Sequence, residues 1–434
     1  MDIMIALPPI DQLVDFIPTV HYGDHTQVSP SSTAETRSGS AGSADSVQRS
    51  ASGSPIGGAL HLSSVLPAVT DALGAPVTTA VHHDPAALRQ ALGMPTASRA
   101  LVVLVDGMGF WNLVDRVGHA PYLRGLLKDS ANARPIATCA PSTTVAAMGT
   151  FGTGTCPGLT GMAGYTQLNP QTGQISQLIQ FRNALKPDDL QREPTVFERL
   201  AARGVRATSV GLSKFANSPL TQASLHGSTY VKADRPAAIV QRTLESLREP
   251  GLTYLYLRDV DKVGHSLGWT GDEWGGALEH VDDMLGQISR QAPRGTLIVI
   301  VADHGMVNAN PAQRIDVAQE PTLMQGVHLI GGEPRSLMLY LNDDAHPGDV
   351  AARWRERLGS HALIRTRDEA LAQGLYGPVS EHVLPMLGQV SVCVNDGYTL
   401  VDSSTQTAVA MSLPSVHGSQ TRMEMEIPCL IDVD

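Results

Sequence analysis

"RALVVLVDGMG", residues 99–109, decides the fold. The apolar run from Leu101 to Val105 shows no polar alternation and stops at Asp106 and a glycine-rich turn. Such a run reads as a strand buried on both faces, which belongs to a parallel sheet covered by helices. Three more stretches repeat the pattern. They are "GVRATSVGL" (204–212), "LTYLYLRDVDKVGH" (252–265) and "GTLIVIVADHGM" (295–306). Helical patterns fall between them at 195–204, 237–249 and 276–291. Strands alternating with helices predict an α/β fold, with a doubly wound, mostly parallel sheet sandwiched by helices.

Working outward, residues 320–400 change texture. Shorter strands such as "SLMLYLN" and "VSVCVN" surround the helix "GDVAARWRERLG", which reads as a smaller inserted α+β lobe. Residues 28–58 are dominated by Ser, Gly and Ala and cannot bury enough surface to offset their ordering entropy, so they read as a flexible linker or long loop. The segment 1–27 precedes it, where "MIALP" and "DFIPTV" could add a strand. The body is expected at 59–434.

With 42% hydrophobic and 17% charged residues, the chain of 434 has the composition of a soluble globular protein. A net charge of -11 argues against nucleic-acid polymers and anionic membranes as partners. A phosphate ligand would therefore need local positive charge, and metal ions are one source. Cys139, Cys156, Cys393 and Cys429 form neither a CxxC pair nor a disulfide framework. No apolar run approaches the roughly 20 residues that cross a bilayer. The opening "MDIMIALPPIDQLVDF" lacks the basic flank of a signal peptide. A cytoplasmic location is expected.

Ligands in open α/β sheets bind at the carboxyl ends of the strands. Here those ends carry Asp106, the Asp259/Asp261 pair and Asp303. Histidine joins two of them, as His265 four residues after Asp261 and as His304 beside Asp303. A third, His417, sits among small residues in "SVHGS". A lone Asp after a strand is often a turn residue or helix cap, and the His82–His83 pair, His119 and His280 are read as ordinary loop or surface histidines. Three carboxylates and three imidazoles on one sheet edge exceed what one tetrahedral metal site uses. Two sites are the natural count.

"APSTTVAAMGTFGTGTCPG" (140–158) adds a hydroxyl cluster. Ser142, Thr143 and Thr144 read either as helix caps or as a nucleophile set where a phosphate could sit. The glycines lack the Lys-Ser/Thr of a P-loop and follow no strand, so they read as close helix–loop packing.

Taken in order, "LVDGMG", "APSTT", "GTGTCPGLTGMAGY", "LRDVDKVGHSLG", "VADHGM" and "VHGS" resemble the alkaline phosphatase superfamily, and within it the type I phosphodiesterase / nucleotide pyrophosphatase branch. The likeness spans about residues 100–310 and 411–430. It implies a phosphoric ester hydrolase with two zinc ions, other divalent metals such as Mn²⁺ being alternatives, acting on a small-molecule phosphate ester. Thr144 would be the nucleophile and would form a phospho-threonine, with Ser142 and Thr143 capping and shaping the turn. One zinc would be held by Asp261, His265 and His417. The other would be held by Asp106, Asp303 and His304, with Thr144 Oγ beside it. Thr160 stands where the branch has His, Tyr165 where its nucleotide-cleaving members have Asn, and Asp259-Val260-Asp261 where Glu-Pro-Asp is usual. A phosphomonoesterase or phosphonate hydrolase on the same site is the alternative, and a non-catalytic metal-stabilised binding protein a further one. Cys139-Ala140-Pro141-Ser142 also resembles the sulfatase C-x-P-S-R motif, but Thr143 replaces its arginine.

Overall fold

The computed structural model describes residues 5–23 and 57–433. Its principal elements in chain order are α1 (Leu62–Ala72), β1 (Arg99–Val105), α2 (Thr144–Thr153), β2 (Ala207–Gly211), β3 (Thr229–Lys232), α3 (Pro236–Ser246), β4 (Gly251–Leu257), α4 (Asp259–Leu267), α5 (Asp272–Gln291) and β5 (Thr296–Val301). They continue with β6 (Val327–Glu333), β7 (Ser336–Leu341), α6 (Pro347–Leu358), β8 (Ala362–Thr366), β9 (Val390–Val394) and β10 (Cys429–Val433).

The central sheet runs β10-β5-β1-β4-β2-β3. All neighbours are parallel except β10, which pairs antiparallel with β5 at one edge. Ala100 through Val105 are all completely buried, which explains the unbroken apolar run. Each Val or Leu among them contributes about 1.5–3 kcal/mol when taken from water. Helices flank the sheet, making this the α/β architecture expected. The register sets the level of the strand ends. Val105 pairs with Leu257 and Leu104 with Val301, so Asp106, Arg258 and the residues after Val301 leave the sheet side by side.

Strands β6-β7-β9-β8 form a separate antiparallel sheet. Its apolar cluster gathers Leu337, Leu339, Val390, Val392 and Trp354 of α6. The glycine run after Thr144 serves close packing, since a Cβ on Gly152 would lie 1.8 Å from the Ser224 carbonyl oxygen.

Among its described residues, 5–23, the N-terminal segment adds no strand to the sheet, contrary to expectation. Ile10–Leu13 is a short helix, and Phe16 and His21 make only isolated bridges. The chain docks instead through buried Leu13, Ile17 and Val20, with the Ile17 N–H donating to Gln420 O at 2.9 Å. Of the stretch read as a linker, only Gly57 and Gly58 fall within the described residues. Among the described residues, no helix is long and apolar enough to cross a membrane.

Candidate active site

Five chain segments bring the predicted residues together at the carboxyl edge of the sheet. Asp106 follows β1, and Gly107 (φ 72°) turns the chain sharply behind it. A Cβ on Gly107 would sit 2.9 Å from Asp261 Cα, so only glycine lets the two strand ends approach this closely. Its N–H donates to Asp303 Oδ1 at 3.0 Å, and Asp261 N–H donates to the Asp106 carbonyl at 3.1 Å. Asp261 and His265 lie one turn apart on α4 and so share a face. His417 follows Ser415–Val416, which pairs with Val307–Asn308 and so sets His417 beside His304. Those two rings stack with centroids 3.6 Å apart.

The three imidazoles are oriented alike. Nδ1 faces a backbone carbonyl in each: Ser415 O for His265 (2.8 Å), Gly305 O for His304 (3.2 Å) and Ser142 O for His417 (2.9 Å). A carbonyl only accepts, so Nδ1 carries the proton and Nε2 is left with a lone pair. Those Nε2 atoms face carboxylates. His265 Nε2 lies 3.3 Å from Asp261 Oδ1, His417 Nε2 3.9 Å from the same oxygen, and His304 Nε2 3.4 Å from Asp303 Oδ2 and 3.5 Å from Asp106 Oδ1. A lone pair opposite a carboxylate oxygen shares no proton. Asp261 Oδ1 and Asp303 Oδ2 are accordingly buried without a hydrogen-bond partner.

This donor set fits divalent cations. Imidazole Nε2 with Nδ1 anchored on a carbonyl is the usual arrangement of a metal-binding histidine. Burial holds the His304 imidazole down at about 4, and burial with His304 and His265 nearby holds His417 well below the ordinary range, so both rings are neutral. Burial raises Asp261 to about 7, helped by Asp106, and raises Asp303 to about 7. Asp106 is pushed well up by burial and by Asp303. A divalent cation is the partner that reverses all three carboxyl shifts. Among the described residues, two triads bring one ligand atom each within 4.8 Å of one another: Asp106, Asp303 and His304, and Asp261, His304 and His417. His304 thus borders both groups, while His265 approaches Asp261 from the more exposed side.

Thr144 is the first residue of α2, and its half-buried Oγ1 lies 3.2 Å from His304 Nε2 and 3.5 Å from Asp106 Oδ1. Ser142 and Thr143 do not cap the helix as expected. Ser142 Oγ donates to Ser419 O at 2.7 Å, and Thr143 holds the N-cap position without a side-chain cap bond. The first N–H groups of α2 therefore stay open toward Thr144, the positive end of a ten-residue helix.

Sequence reading missed the supports. The Tyr256 hydroxyl donates to Asp106 Oδ2. Asn112 accepts from Met306 N–H at 3.0 Å and donates to Met306 O at 3.0 Å, fixing the turn after His304. Arg335 and Glu424 form a buried two-bond ion pair (2.8 and 2.9 Å), and Glu424 accepts from Ser419 N–H at 2.9 Å just past His417. Glu333, buried at the end of β6, is pushed up to about 8 by burial, opposed by the Thr143 hydroxyl. Only Tyr256 left a signal, as a polar residue one step from the end of an apolar strand. Among the residues that depart from the family pattern, Tyr165 is exposed with its hydroxyl accepting from Gln177 at 2.6 Å, and Thr160 is buried against Pro157 and Met162. Of the histidines read as ordinary, His82 meets Ser63 at 2.8 Å and His119 meets Glu279 at 2.7 Å.

Residues 100–420 match the family described as Type I phosphodiesterase / nucleotide pyrophosphatase. The chain belongs to that family. It is accordingly a phosphoric ester hydrolase of the alkaline phosphatase superfamily. No curated protein matched in sequence. Among solved structures, murine ectonucleotide pyrophosphatase / phosphodiesterase 5 superposes with a TM-score of 0.62 at 14% identity, covering 77% of this chain and 88% of its own. Phosphonoacetate hydrolase from Sinorhizobium meliloti 1021, in complex with phosphonoformate, gives 0.62 at 20% identity, covering 78% and 91%. At these identities both show the shared fold.

Proposed function

We propose that this member of the family hydrolyses small phosphate esters with Thr144 as nucleophile. In this reading two divalent metal ions, zinc foremost and manganese as the alternative, are held by Asp261, His265 and His417 and by Asp106, Asp303 and His304. One observation carries it: two buried, unpartnered carboxylate oxygens face unprotonated imidazole nitrogens beside a half-buried threonine hydroxyl. Bound there, the metals would lower the pKa of a nearby hydroxyl and offset charge on phosphoryl oxygens.

The chain's own groups do the rest. Thr144 Oγ1 attacks phosphorus, the bond to the leaving oxygen breaks, and that oxygen departs as an alcohol after taking a proton. The first N–H groups of α2, left without a side-chain cap, would be available to phosphoryl oxygens at Thr144. Water then attacks phosphorus, the bond to Thr144 Oγ1 breaks, the phosphoryl group leaves as a phosphate monoester (as phosphate where the substrate is itself a monoester), and Oγ1 regains a proton. Before the attack, His304 Nε2 and Asp106 Oδ1 position the free Thr144 hydroxyl at 3.2 and 3.5 Å.

A second reading, a phosphomonoesterase or phosphonate hydrolase on the same site, is favoured by Tyr165, whose side chain reaches out to Gln177 where nucleotide-cleaving members present Asn. Comparing rates on a methyl aryl phosphate diester, an aryl phosphate and a phosphonate separates the two. Four free, buried cysteines fit a reducing, cytoplasmic setting. The test of the nucleophile is Thr144→Ala, expected to lower turnover by about 10³-fold or more with metal content retained, while Thr144→Ser keeps measurable activity. An active, metal-loaded Thr144→Ala enzyme overturns the assignment.

A further inference from the structure

We propose that Lys214, Arg258 and Lys262 form a second anion subsite beside the metal-binding residues, so that the substrate carries a carboxylate or a further phosphate besides the phosphoryl group attacked. This rests on the reading above and names its substrate class: small phosphate or phosphonate compounds with two anionic groups.

The placement comes from the sheet. Lys214 lies in the Ser213–Phe215 turn just after β2, and Arg258 immediately follows β4. β2 and β4 are parallel neighbours, with Val210 beside Leu255, so both turns emerge at the edge that carries Asp106 and Asp261. Lys262 follows Asp261 in the first turns of α4. Two of the cations share one ring. Lys214 Nζ lies 4.9 Å and Arg258 Cζ 5.9 Å from the Phe215 centroid. Phe215 in turn meets Tyr256 edge-on at 6.0 Å, and the Tyr256 hydroxyl binds Asp106. An unbroken set of contacts therefore joins Lys214 and Arg258 to Asp106.

Packing does not explain the cluster. Among the described residues none of the three cations forms an ion pair, in a chain whose net charge is -11. The acid beside the turn, Asp234, is engaged by Ser213, accepting from its N–H at 2.8 Å and its hydroxyl at 2.5 Å. That bond fixes the turn and leaves Lys214 free. Desolvation, Arg258 and Lys262 together hold the Lys214 ammonium below the ordinary lysine range, with Asp259 opposing. Three like charges drawn together against their repulsion are what a bound anion would repay. A cation over a half-exposed ring needs one such group, not three.

The test compares the affinities of methylphosphonate, phosphonoacetate and methylenebisphosphonate for the zinc-loaded protein by calorimetry, in the Thr144→Ala background so that turnover does not intrude. At least one two-anion compound should bind about tenfold or more tighter than methylphosphonate, and which one does so distinguishes a carboxylate from a phosphate. That ratio should fall about five- to tenfold in Lys214→Met/Lys262→Met, and shrink as salt rises from about 50 to about 300 mM. Metal content is measured alongside. A ratio unchanged in the double variant would mean that chelation by the metals alone favours the second anion, and overturns the subsite. Failure of all three ligands to bind overturns it too. Hydrolysis of bis(4-nitrophenyl) phosphate by the unaltered enzyme, measured separately, tells whether the Thr144 chemistry stands regardless.

Discussion

Replacing Asp261 with asparagine should stabilise the metal-stripped protein while disabling the proposed metal centre. Asp261 Oδ1 is buried, unpartnered and opposed by the lone pairs of His265 and His417 at 3.3 and 3.9 Å. Its carboxyl is raised from 3.8 to about 7, first by burial and then by Asp106. As pH climbs from 4 to 7 the unfolded chain loses this proton and the folded chain keeps it, so unfolding becomes progressively easier. Above the folded value the cost is complete. At about 1.4 kcal/mol per pH unit separating the folded and unfolded values, it is on the order of 4 kcal/mol as an upper bound. Relaxation and water entry bring the realistic range to about 1–4 kcal/mol. Asparagine carries no charge, and its amide N–H₂ can donate to the same Nε2 lone pairs the carboxylate opposed.

The assay is urea unfolding of both proteins in chelator at several pH values. The variant should exceed the wild type by about 1–4 kcal/mol at pH 8, with the gap closing toward pH 4. Restoring zinc should invert the order, because a ligand bound only by the folded state stabilises it by RT ln(1 + [L]/Kd). A variant no more stable than wild type at pH 8 in chelator would refute the reasoning, since Asp261 would then be content without a cation.

Two other substitutions probe the supports. Tyr256→Phe removes the hydroxyl that donates to Asp106 and should cost about 10- to 100-fold in zinc affinity with unfolding midpoints in chelator little changed, measured by competition with a chromophoric chelator. Arg335→Met strands the buried Glu424 carboxylate behind the His417 loop and should destabilise the fold by about 3–5 kcal/mol in chemical denaturation.

The sheet was legible because burial on both faces leaves an uninterrupted apolar signature, as in Leu101–Val105 and Leu297–Val301. Their acids were legible for a linked reason: nothing in the core explains an Asp at three neighbouring strand ends. The edge strands were not. β3 is only partly buried, and β10 ends the chain antiparallel, so neither carries the same pattern. The docking of Ile17 and Val20 was misread as a strand because a short apolar run looks alike whether it pairs or merely packs. Arg335, Glu424 and Glu333 were invisible because a buried charge is recognised only by its partner, which for Arg335 stands about 90 residues away.

The hydroxyl cluster shows where composition stops deciding. Ser, Thr and Pro ahead of a helix are the residues of a cap, and they are equally the residues of a helix terminus that must stay open for an anion. What separates the two is where the hydroxyls point. Had Thr143 bonded the second or third N–H of α2, that donor would be spent, and a phosphoryl oxygen arriving at Thr144 would meet a satisfied terminus. Instead Ser142 turns back to Ser419, tying the Thr144 turn to the His417 loop, and Thr143 leaves the N–H groups uncapped. The same turn supplies the Ser142 carbonyl that fixes the His417 tautomer at 2.9 Å. One short turn thus keeps a helix terminus open, presents Thr144 Oγ1 and orients an imidazole. A cap would achieve only local stability, and the departure from that local rule is what makes the turn a candidate for function.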